Sequence, residues 1–407
     1  MKYALGNMLN GAGGLNADQL ALDLQFAADK TLTARKGPTP ILTRGSTGTF
    51  VGSNGLIQTA AVDAARFDHD PVTFACRGLL IEEGRTNLYN NSEDFSQASW
   101  TKTRLSIQTN ATTSPDGTTT ADKLIEDTSA SNTHTIGSTV TPPATPHTLS
   151  VFAKKGERNF IVLRLGGQND FFNLNTGVAL TNANSPTITN YGNGWYRCTV
   201  TSSLGTQGSF QMSADGITSS YTGDGTSGIF IWGAQLEAGS FATSYIPTTT
   251  SALARSADVC SITGANFTSF YNQPEGTLFA DARVETAARS ANGFFTSLYN
   301  ASSNEFSLRI FSNEVQVTVR DGGAAKDFNI GGVATNMKVA AAYSSLNNVA
   351  SLNGLAVVTG TASNLPAMIG LSVGSRFAAS TFANGHIAAI RYYKKRLANA
   401  KLVTLTV

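Results

Sequence analysis

The feature that most constrains this chain is a succession of short runs, each long enough for one β-strand and most of them ended by glycine or serine. The runs partly alternate between apolar and polar residues, which is the period of a strand with one buried face. Examples are HTLSVFAKKG, NFIVLRLGG, GWYRCTVTSSL and GIFIWGAQLEAG. Turns separate such runs, as in SPDG, where proline presets φ and glycine accepts the left-handed position. The sequence therefore predicts an all-β protein of antiparallel β-sandwich, or jelly-roll, domains.

The strand-like runs fall into two groups, so we expect two sandwich domains. The first group occupies residues 88–248 and the second occupies residues 265–407. Between them, residues 249–264 follow Pro247 and include a serine and threonine cluster, a composition typical of a linker. The absence of any short-period repeat argues against a solenoid or a propeller.

Residues 1–87 precede the first group and are expected to form a small region for attachment or oligomerisation. Leu20, Leu22 and Leu24 lie in the best helical stretch of this region, but their alternation fits a strand equally well. Further along, SNG between TFV and LIQTA has the composition of a hairpin turn.

The charge balance excludes one class of partner. The chain carries 29 basic and 27 acidic residues, a net charge of +2, so no field of one sign attracts a polyanion and we expect no nucleic-acid binding. Cys76, Cys198 and Cys260 are far apart and fit no metal spacing or disulfide framework, so we expect buried apolar side chains. No apolar stretch has the length of a secretory signal or a membrane span, so we expect cytoplasmic synthesis and no membrane span.

Three stretches of the sequence resemble a recurrent set of segments in virion structural proteins of tailed bacteriophages, namely tail-fibre, tail-tip and head-fibre-like proteins. They are RFDHDP (66–71), GLLIEEGRTNLYNNSEDFSQASWTKT (78–103) and IWGAQLEAGSFATSYIPTTTSALARSADV (231–259). In addition, SLNGLAVV and the terminal GHIAAIRYYKKRLANAKLVTL resemble the concanavalin A and laminin-G-like sandwiches, in which a short amphipathic segment follows the last strand.

The resemblance implies a jelly roll similar to carbohydrate-binding modules, followed by a concanavalin A or laminin-G-like sandwich. It further implies a virion protein made in the host cytoplasm, in the tail rather than the head, and a homotrimer in contact with other virion proteins. The function that follows is non-enzymatic: a tail fibre, spike or tail tip that binds host-surface polysaccharide. Two alternatives are a head-fibre, capsid-decoration or neck protein and a glycan-depolymerising tailspike enzyme.

Two adjacent carboxylates, Glu82 and Glu83, raise the question of acid–base catalysis. On a strand their side chains point to opposite faces, so they cannot flank one glycosidic bond together. We interpret them as part of a structural seam at the start of the jelly roll, together with Arg85, Asn87 and Trp100. Arg85 could pair with one of the two glutamates, and Asn87 could hold loop backbone.

A glycan site would need polar and aromatic side chains on loops. Tyr89, Asn90, Asn91 and Tyr221 are the candidates, because all four occur in turn-like stretches. The three tryptophans, by contrast, occur in patterns that predict core positions for Trp195 and Trp232 and a core or seam position for Trp100.

No catalytic, cofactor-binding or metal-binding residue emerges from the sequence. No histidine stands in the context of a nucleophilic triad, and no serine lies in a GxSxG elbow. Asp68, His69 and Asp70 are of metal-ligand type, but a surface turn stabilised by an aspartate is the better interpretation. GDGTSG and RDGG carry oxygen ligands that allow Ca²⁺, yet neither has the spacing of a calcium loop, so we expect hairpin turns. The terminal basic residues are interpreted as a solvated face beside buried Leu397, Leu402 and Leu405.

Overall fold

A computed structural model describes residues 19–284, 292–301, 303–345, 347–360, 365–377 and 380–407. Antiparallel strands dominate these residues, which confirms the all-β prediction. Within these ranges, no helix combines the length and the apolar character that crossing a membrane requires.

The strands up to the middle of the chain are β1 Leu20–Leu24, β2 Ile41–Thr43, β3 Gly48–Val51, β4 Ile57–Ala60, β5 Phe67–His69, β6 Cys76–Ile81, β7 Arg85–Asn87, β8 Trp100–Thr103, β9 Leu105–Thr112, β10 Ala121–Glu126, β11 Asn132–Thr133, β12 Thr135–Ser138, β13 His147–Lys155, β14 Phe160–Leu165, β15 Gln168–Asn173, β16 Val178–Ala179, β17 Thr187–Asn190, β18 Trp195–Ser202, β19 Ser209–Ser213, β20 Ser220–Tyr221 and β21 Gly228–Ala238. The later strands are β22 Leu253–Arg255, β23 Val259–Thr263, β24 Gly276–Arg283, β25 Gly293–Ala301, β26 Asn304–Phe311, β27 Glu314–Asp321, β28 Ala324–Gly332, β29 Asn336–Ser344, β30 Asn347–Leu352, β31 Val358–Thr359, β32 Gly370–Val373 and β33 Gly385–Tyr393. The helices are short: α1 Phe26–Asp29, α2 Gly264–Phe270 and α3 Asn399–Leu405.

The chain divides into two compact units, and each is assembled from separated segments. The jelly-roll unit contains residues 45–75 and 84–256. The second unit contains the described residues up to Arg44, residues 76–83 and the described residues from Ala257 on. The chain therefore passes from one unit to the other four times.

Two sheets of six strands form the jelly-roll unit. One has the order β17-β18-β13-β21-β10-β9 and the other has the order β16-β15-β14-β19-β12-β8. Their facing apolar side chains form one core, for example Leu149 and Ile231 from the first sheet with Ile161 and Phe210 from the second. The alternation read from the sequence produces this arrangement, because every second residue of each strand points into the core.

The β3–β4 hairpin belongs to the same unit and packs outside this core. Ile57 of β4 joins a cluster of buried aromatic residues, whose other members include Phe152, Trp195, Trp232 and Tyr245. The SNG turn between the two strands, with Gly55 at φ 77°, is the predicted hairpin turn.

The second unit also contains two sheets. One includes, in this order, the strands β31-β30-β29-β24-β33-β6, with β1 paired to β33, and the other has the order β2-β23-β32-β25-β26-β27-β28. The rings of Phe306 in β26 and Tyr343 in β29 lie 5.2 Å apart, so side chains of the two sheets meet in a core. After β33, Leu397, Leu402 and Leu405 are buried on the other side of the first sheet, as the sequence predicted for the terminal segment.

Two predicted segments differ from the structure. The described part of residues 1–87 is not a separate region, because its strands join both units: β1 pairs with β33, and β7 pairs with β22. Residues 249–264 are not a free linker, because β23 lies between β2 and β32 in a sheet. Cys260 and Ile262 alternate inward within the Ser/Thr-rich stretch and supply the apolar face of that strand.

Candidate functional site

A cleft of about 490 Å³ opens on the jelly-roll unit, where three stretches of chain meet. The stretch after β7, the β9–β10 hairpin and the stretch after β21 each contribute to its walls. All residues that line this polar cleft are uncharged polar or acidic: Asn91, Glu93, Asp94, Ser96, Thr109, Asn110, Thr120, Asp122, Thr248 and Thr249. The walls therefore offer amide, hydroxyl and carboxylate groups, and none of these lining residues carries a positive charge.

Local hydrogen bonds fix the first wall of the polar cleft. Asn91 adopts φ 51°, a left-handed conformation that asparagine tolerates better than most residues. Its N–H donates to the Thr249 carbonyl oxygen at 2.5 Å, and Trp100 Nε1 donates to the Asn91 carbonyl oxygen at 3.0 Å. Ser92 Oγ accepts the Thr248 N–H at 2.8 Å. The entry and exit stretches of the jelly roll are thereby held side by side.

Two of the carboxylates hold the cleft together. Asp122 is buried, and its two oxygens accept the Phe95 N–H at 2.9 Å and the Asn110 N–H at 3.0 Å. Burial raises the pKa of Asp122, although these two hydrogen bonds act in the opposite direction. Asp94 accepts hydrogen bonds from Ser96 and Gln97. Partial burial acts to raise the pKa of Asp94, but these bonds lower it overall.

Glu93 differs from the other two carboxylates, because one of its oxygens is available. Its Oε1 accepts a hydrogen bond from the Tyr245 hydroxyl at 3.0 Å, and Oε2 has no hydrogen-bond partner among the described residues. Burial raises the pKa of Glu93, and the negative charge of Asp116 raises it further. Glu93 is thus an acceptor on the cleft wall with capacity for a ligand hydroxyl or ammonium group.

The Thr120 hydroxyl, which lines the polar cleft, contacts a member of the aromatic cluster. Thr120 Oγ1 accepts the Trp232 Nε1–H at 3.1 Å and lies 3.0 Å from Ser114 Oγ. Ser114 also donates to Asp116 Oδ1 at 2.5 Å. Because Trp232 is almost fully buried, its ring offers no face to a ligand.

Of the four residues predicted to contact a glycan, one lines the polar cleft. Asn91 lines it, and Asn90 is the half-buried neighbour. Tyr89 is not on an exposed loop: it is completely buried, and its ring packs against Trp100 at 5.1 Å. The prediction that its ring contacts a ligand must be corrected, because Asn87, Tyr89 and Trp100 all turn inward at the start of the jelly roll.

Tyr221 lies in a different cluster of the same unit. Its hydroxyl donates to Glu126 Oε2 at 2.6 Å, and Arg158 Nε donates to the same oxygen at 2.8 Å. The Tyr221 ring also contacts the Arg158 guanidinium, 5.3 Å from the ring centroid, and His134, at a centroid separation of 4.7 Å. Burial raises the pKa of Tyr221, and the hydrogen bond to Glu126 raises it further. Most of its polar capacity is used within this cluster.

Glu82 and Glu83 belong to the second unit and have different surroundings. Glu82 is buried, and its N–H donates to Asp258 Oδ2 at 3.0 Å. The other carboxylate oxygen of Asp258 accepts from Arg44 Nη1 at 3.0 Å, and both side chains of this ion pair are inaccessible to solvent. Glu83 is half-buried and exchanges hydrogen bonds with Asn384.

Arg85, Asn87 and Trp100 lie in the jelly-roll unit. The Arg85 guanidinium is 4.9 Å from the centroid of the Phe241 ring. The completely buried Asn87 side chain makes four hydrogen bonds to backbone: Nδ2 donates to the Ala234 and Ile246 carbonyl oxygens, and Oδ1 accepts the Tyr89 and Leu236 N–H groups. Asn87 therefore joins the start of the jelly roll to its last strand.

The structure also shows the surroundings of Asp68, His69 and Asp70, the residues of metal-ligand type in the sequence. Asp70 Oδ1 accepts the Val72 and Thr73 N–H groups, which is the predicted aspartate-stabilised turn. Asp68 and His69 are buried rather than on the surface. Across the described ranges, no three histidine, cysteine, aspartate or glutamate side chains are arranged to hold a metal ion.

A scan against protein-family models finds no match, and a search of the curated proteins finds none either. Among solved structures, the chain is similar to the binding domain of botulinum neurotoxin DC in complex with SialylT, with a TM-score of 0.31 and 12% identity over 37% of this chain and 39% of that chain. It is also similar to domains LG4-5 of the mouse laminin alpha1 chain, with a TM-score of 0.26 and 13% identity over 67% of this chain and 88% of that chain. A third similar structure is Trypanosoma rangeli sialidase in complex with the inhibitor DANA, with a TM-score of 0.27 and 11% identity over 36% of this chain and 26% of that chain. The chain thus spans about two fifths of the neurotoxin chain.

Proposed function

We propose that this chain is a non-enzymatic structural protein of a tailed-phage virion, in a tail fibre, spike or tail tip, and that it binds host-surface glycans through the polar cleft. The observation that carries the glycan part is the cleft itself. Amide, hydroxyl and carboxylate groups on three stretches of chain converge on one opening of about 490 Å³, a volume in the range of small-ligand sites.

The chemistry of the cleft supports a polyol ligand. A saccharide hydroxyl donates one hydrogen bond and accepts others, so it needs acceptors and donors side by side. Glu93 Oε2 supplies an acceptor, and the side-chain amide of Asn110 makes no hydrogen bond within the described residues and supplies both kinds of group. A cleft with these groups binds one saccharide weakly, and several copies on one particle compensate through avidity.

The proposal that this chain is a virion protein rests on the amino-acid sequences of the segments that resemble phage virion proteins. The structure gives one supporting observation: the parts of those segments from Arg85 to Thr103 and from Ile231 to Arg255 belong to the same unit, and Asn87 bonds to Ala234 and Ile246. Segments that recur together in such proteins are thus parts of one folded body here. We further propose a homotrimer, which brings several clefts onto one fibre.

We propose no catalysis at the polar cleft. A glycosidase of the usual kind needs two carboxyl groups free to act on one bond. Both oxygens of Asp122 accept backbone N–H groups, and Asp94 is engaged with Ser96 and Gln97. Of these three carboxylates, only Glu93 has an oxygen without a hydrogen-bond partner among the described residues. Release of reducing ends from host polysaccharide by the purified chain would select the tailspike alternative instead.

Glycan binding is tested with the purified full chain on a glycan array, followed by titration of the bound glycans. Asn110→Gly removes the amide while keeping a residue that tolerates φ 52°, and it should weaken binding about fivefold or more. Tyr221→Phe, outside the cleft, is the matched control and should retain binding. If the Asn110→Gly variant and the parent chain bind the glycans with equal affinity, the polar cleft is not the glycan-binding site.

The position on the particle is a separate experiment. Gold-labelled antibody against the chain, imaged by electron microscopy of intact virions, should decorate the tail. Label on the capsid or the collar would favour the alternative of a head-fibre, decoration or neck protein, which has the same fold but a different position on the virion.

A further inference from the structure

The charged residues that line the polar cleft are all acidic, and this restricts the class of ligand that the cleft can bind. We infer that it accepts neutral or amine-bearing saccharides and rejects those that carry carboxylate, sulfate or phosphate groups. This inference rests on the proposed function and adds the sign of the ligand charge to it.

The first argument is the distribution of charge around the opening. Three carboxylates, Glu93, Asp94 and Asp122, line the cleft, and no lysine or arginine is among its lining residues. Asp116 lies close enough for its charge to influence Glu93. An anionic ligand would therefore approach several negative groups without a compensating cation on the walls, which costs affinity.

The second argument concerns the cation beside the cleft. Lys102 Nζ donates to the carbonyl oxygens of Ser96 and Gln97, at 2.6 and 2.7 Å. These bonds direct the ammonium group to the backbone of the 96–97 turn. Two of the three Lys102 N–H donors are therefore used by this turn, the positive charge lowers the pKa of the neighbouring Asp94, and Lys102 is not among the residues that line the cleft.

The third argument is which negative oxygen a ligand can reach. The oxygens of Asp122 are directed to the N–H groups of Phe95 and Asn110, whereas Glu93 Oε2 has no partner in the part of the chain that the structure describes. A sugar hydroxyl can donate to this oxygen, and a sugar ammonium group can form a charged hydrogen bond with it. A carboxylate or phosphate oxygen has no hydrogen to donate and meets a like charge.

The test begins with the glycan array and continues with a matched series on the scaffold that the array identifies. For a hexose scaffold the series is the neutral hexose, the hexosamine and the hexuronate, each titrated into the full chain by calorimetry at pH 7 and low salt. We expect the hexuronate to bind at least about tenfold more weakly than the hexosamine. This difference should shrink in 0.5 M NaCl, where the charges are screened.

Glu93→Gln isolates the charge, because the amide has nearly the shape of the carboxylate. The ratio of hexosamine to hexuronate affinity should fall roughly three- to tenfold in this variant, and it should stay unchanged in Glu314→Gln, which alters a glutamate of the second unit. We expect the Glu93→Gln variant to fold, because burial makes the ionised form of Glu93 costly.

The outcomes separate the inference from the proposed function. Array binding dominated by acidic glycans, or an affinity ratio that Glu93→Gln leaves unchanged, overturns the inference and leaves glycan binding standing. Failure of the full chain to bind any saccharide on the array contradicts the proposed function itself.

Discussion

Removing the Asn87 side chain should destabilise the jelly-roll unit strongly, because this one buried amide makes four hydrogen bonds to backbone. A typical hydrogen bond contributes about 0.5–1.5 kcal/mol net, so Asn87→Ala should lower the free energy of unfolding by about 2–6 kcal/mol. That is a large share of the roughly 5–15 kcal/mol that stabilises a typical domain. For a unit of this size, each kcal/mol corresponds to about 2–4 °C, so a loss near the middle of this range lowers the melting temperature by roughly 8–16 °C.

Tryptophan fluorescence is a suitable assay, because Trp100, Trp195 and Trp232 all lie in the jelly-roll unit and report its unfolding alone. Asn90→Ala is the matched control: it removes an amide three residues away that makes no hydrogen bond within the described residues, and it should melt within about 2 °C of the parent chain. Asn87→Asp should be worse than alanine at neutral pH, since it places a carboxylate against the carbonyl oxygens of Ala234 and Ile246. A parent-like melting temperature for either Asn87 variant would refute the reasoning.

Other predictions concern packing, a buried ion pair and acid stability. Gly228→Ala places a Cβ 1.9 Å from the Leu124 carbonyl oxygen and should lower the melting temperature by at least about 5 °C or prevent soluble expression, whereas Gly332→Ala, whose Cβ meets no atom within 4 Å, should be neutral in the same melts. Glu305→Gln removes the charge of a fully buried carboxylate that lies 2.8 Å from both Arg320 and Arg376, and it should cost the second unit about 3–5 kcal/mol in chemical denaturation; a loss below about 1 kcal/mol would contradict a structural role for these two ion pairs. Burial acts to raise the pKa of Glu126, but hydrogen bonds from Arg158 and Tyr221 lower it overall, so its stabilising contribution is complete above its unfolded-state pKa and disappears as pH falls through the folded-state value. Between pH 7 and pH 3, the melting temperature of Glu126→Gln should therefore fall less steeply than that of the parent chain. Equal slopes would show that Glu126 does not contribute to the acid sensitivity.

The strands and turns could be predicted from the sequence because their signals are local. Alternating residues mark the strands, and the SNG, SPDG and RDGG turns occur where hairpins reverse, with Gly322 and Gly323 in the left-handed region. The pairing of β1 with β33 joins Leu20 to Tyr393, and no local signal connects residues that far apart. The same lack of a local signal explains why the sequence alone predicts separate regions for residues 1–87 and 249–264.

The candidate site was predictable only in part for a related reason. Asn91 occurs in a loop-like stretch, but Glu93, Asp122 and Thr248 line one cleft only when three distant stretches meet. The sequence predicts an exposed Tyr89, because asparagines follow it. Its inward direction follows from Asn87, a polar residue whose buried position the sequence could not reveal, because its partners are backbone groups far along the chain.

Because the chain passes four times between the two units, neither unit corresponds to one continuous stretch of the gene. A fragment encoding residues 88–248 would omit Ile57 and with it the β3–β4 hairpin that packs against Trp195 and Trp232. Such a fragment would present bare aromatic surface to solvent and should aggregate. Recombination that exchanges one unit for a relative's would need several coordinated breakpoints. We therefore expect the two units to be inherited together as a single exchangeable cassette.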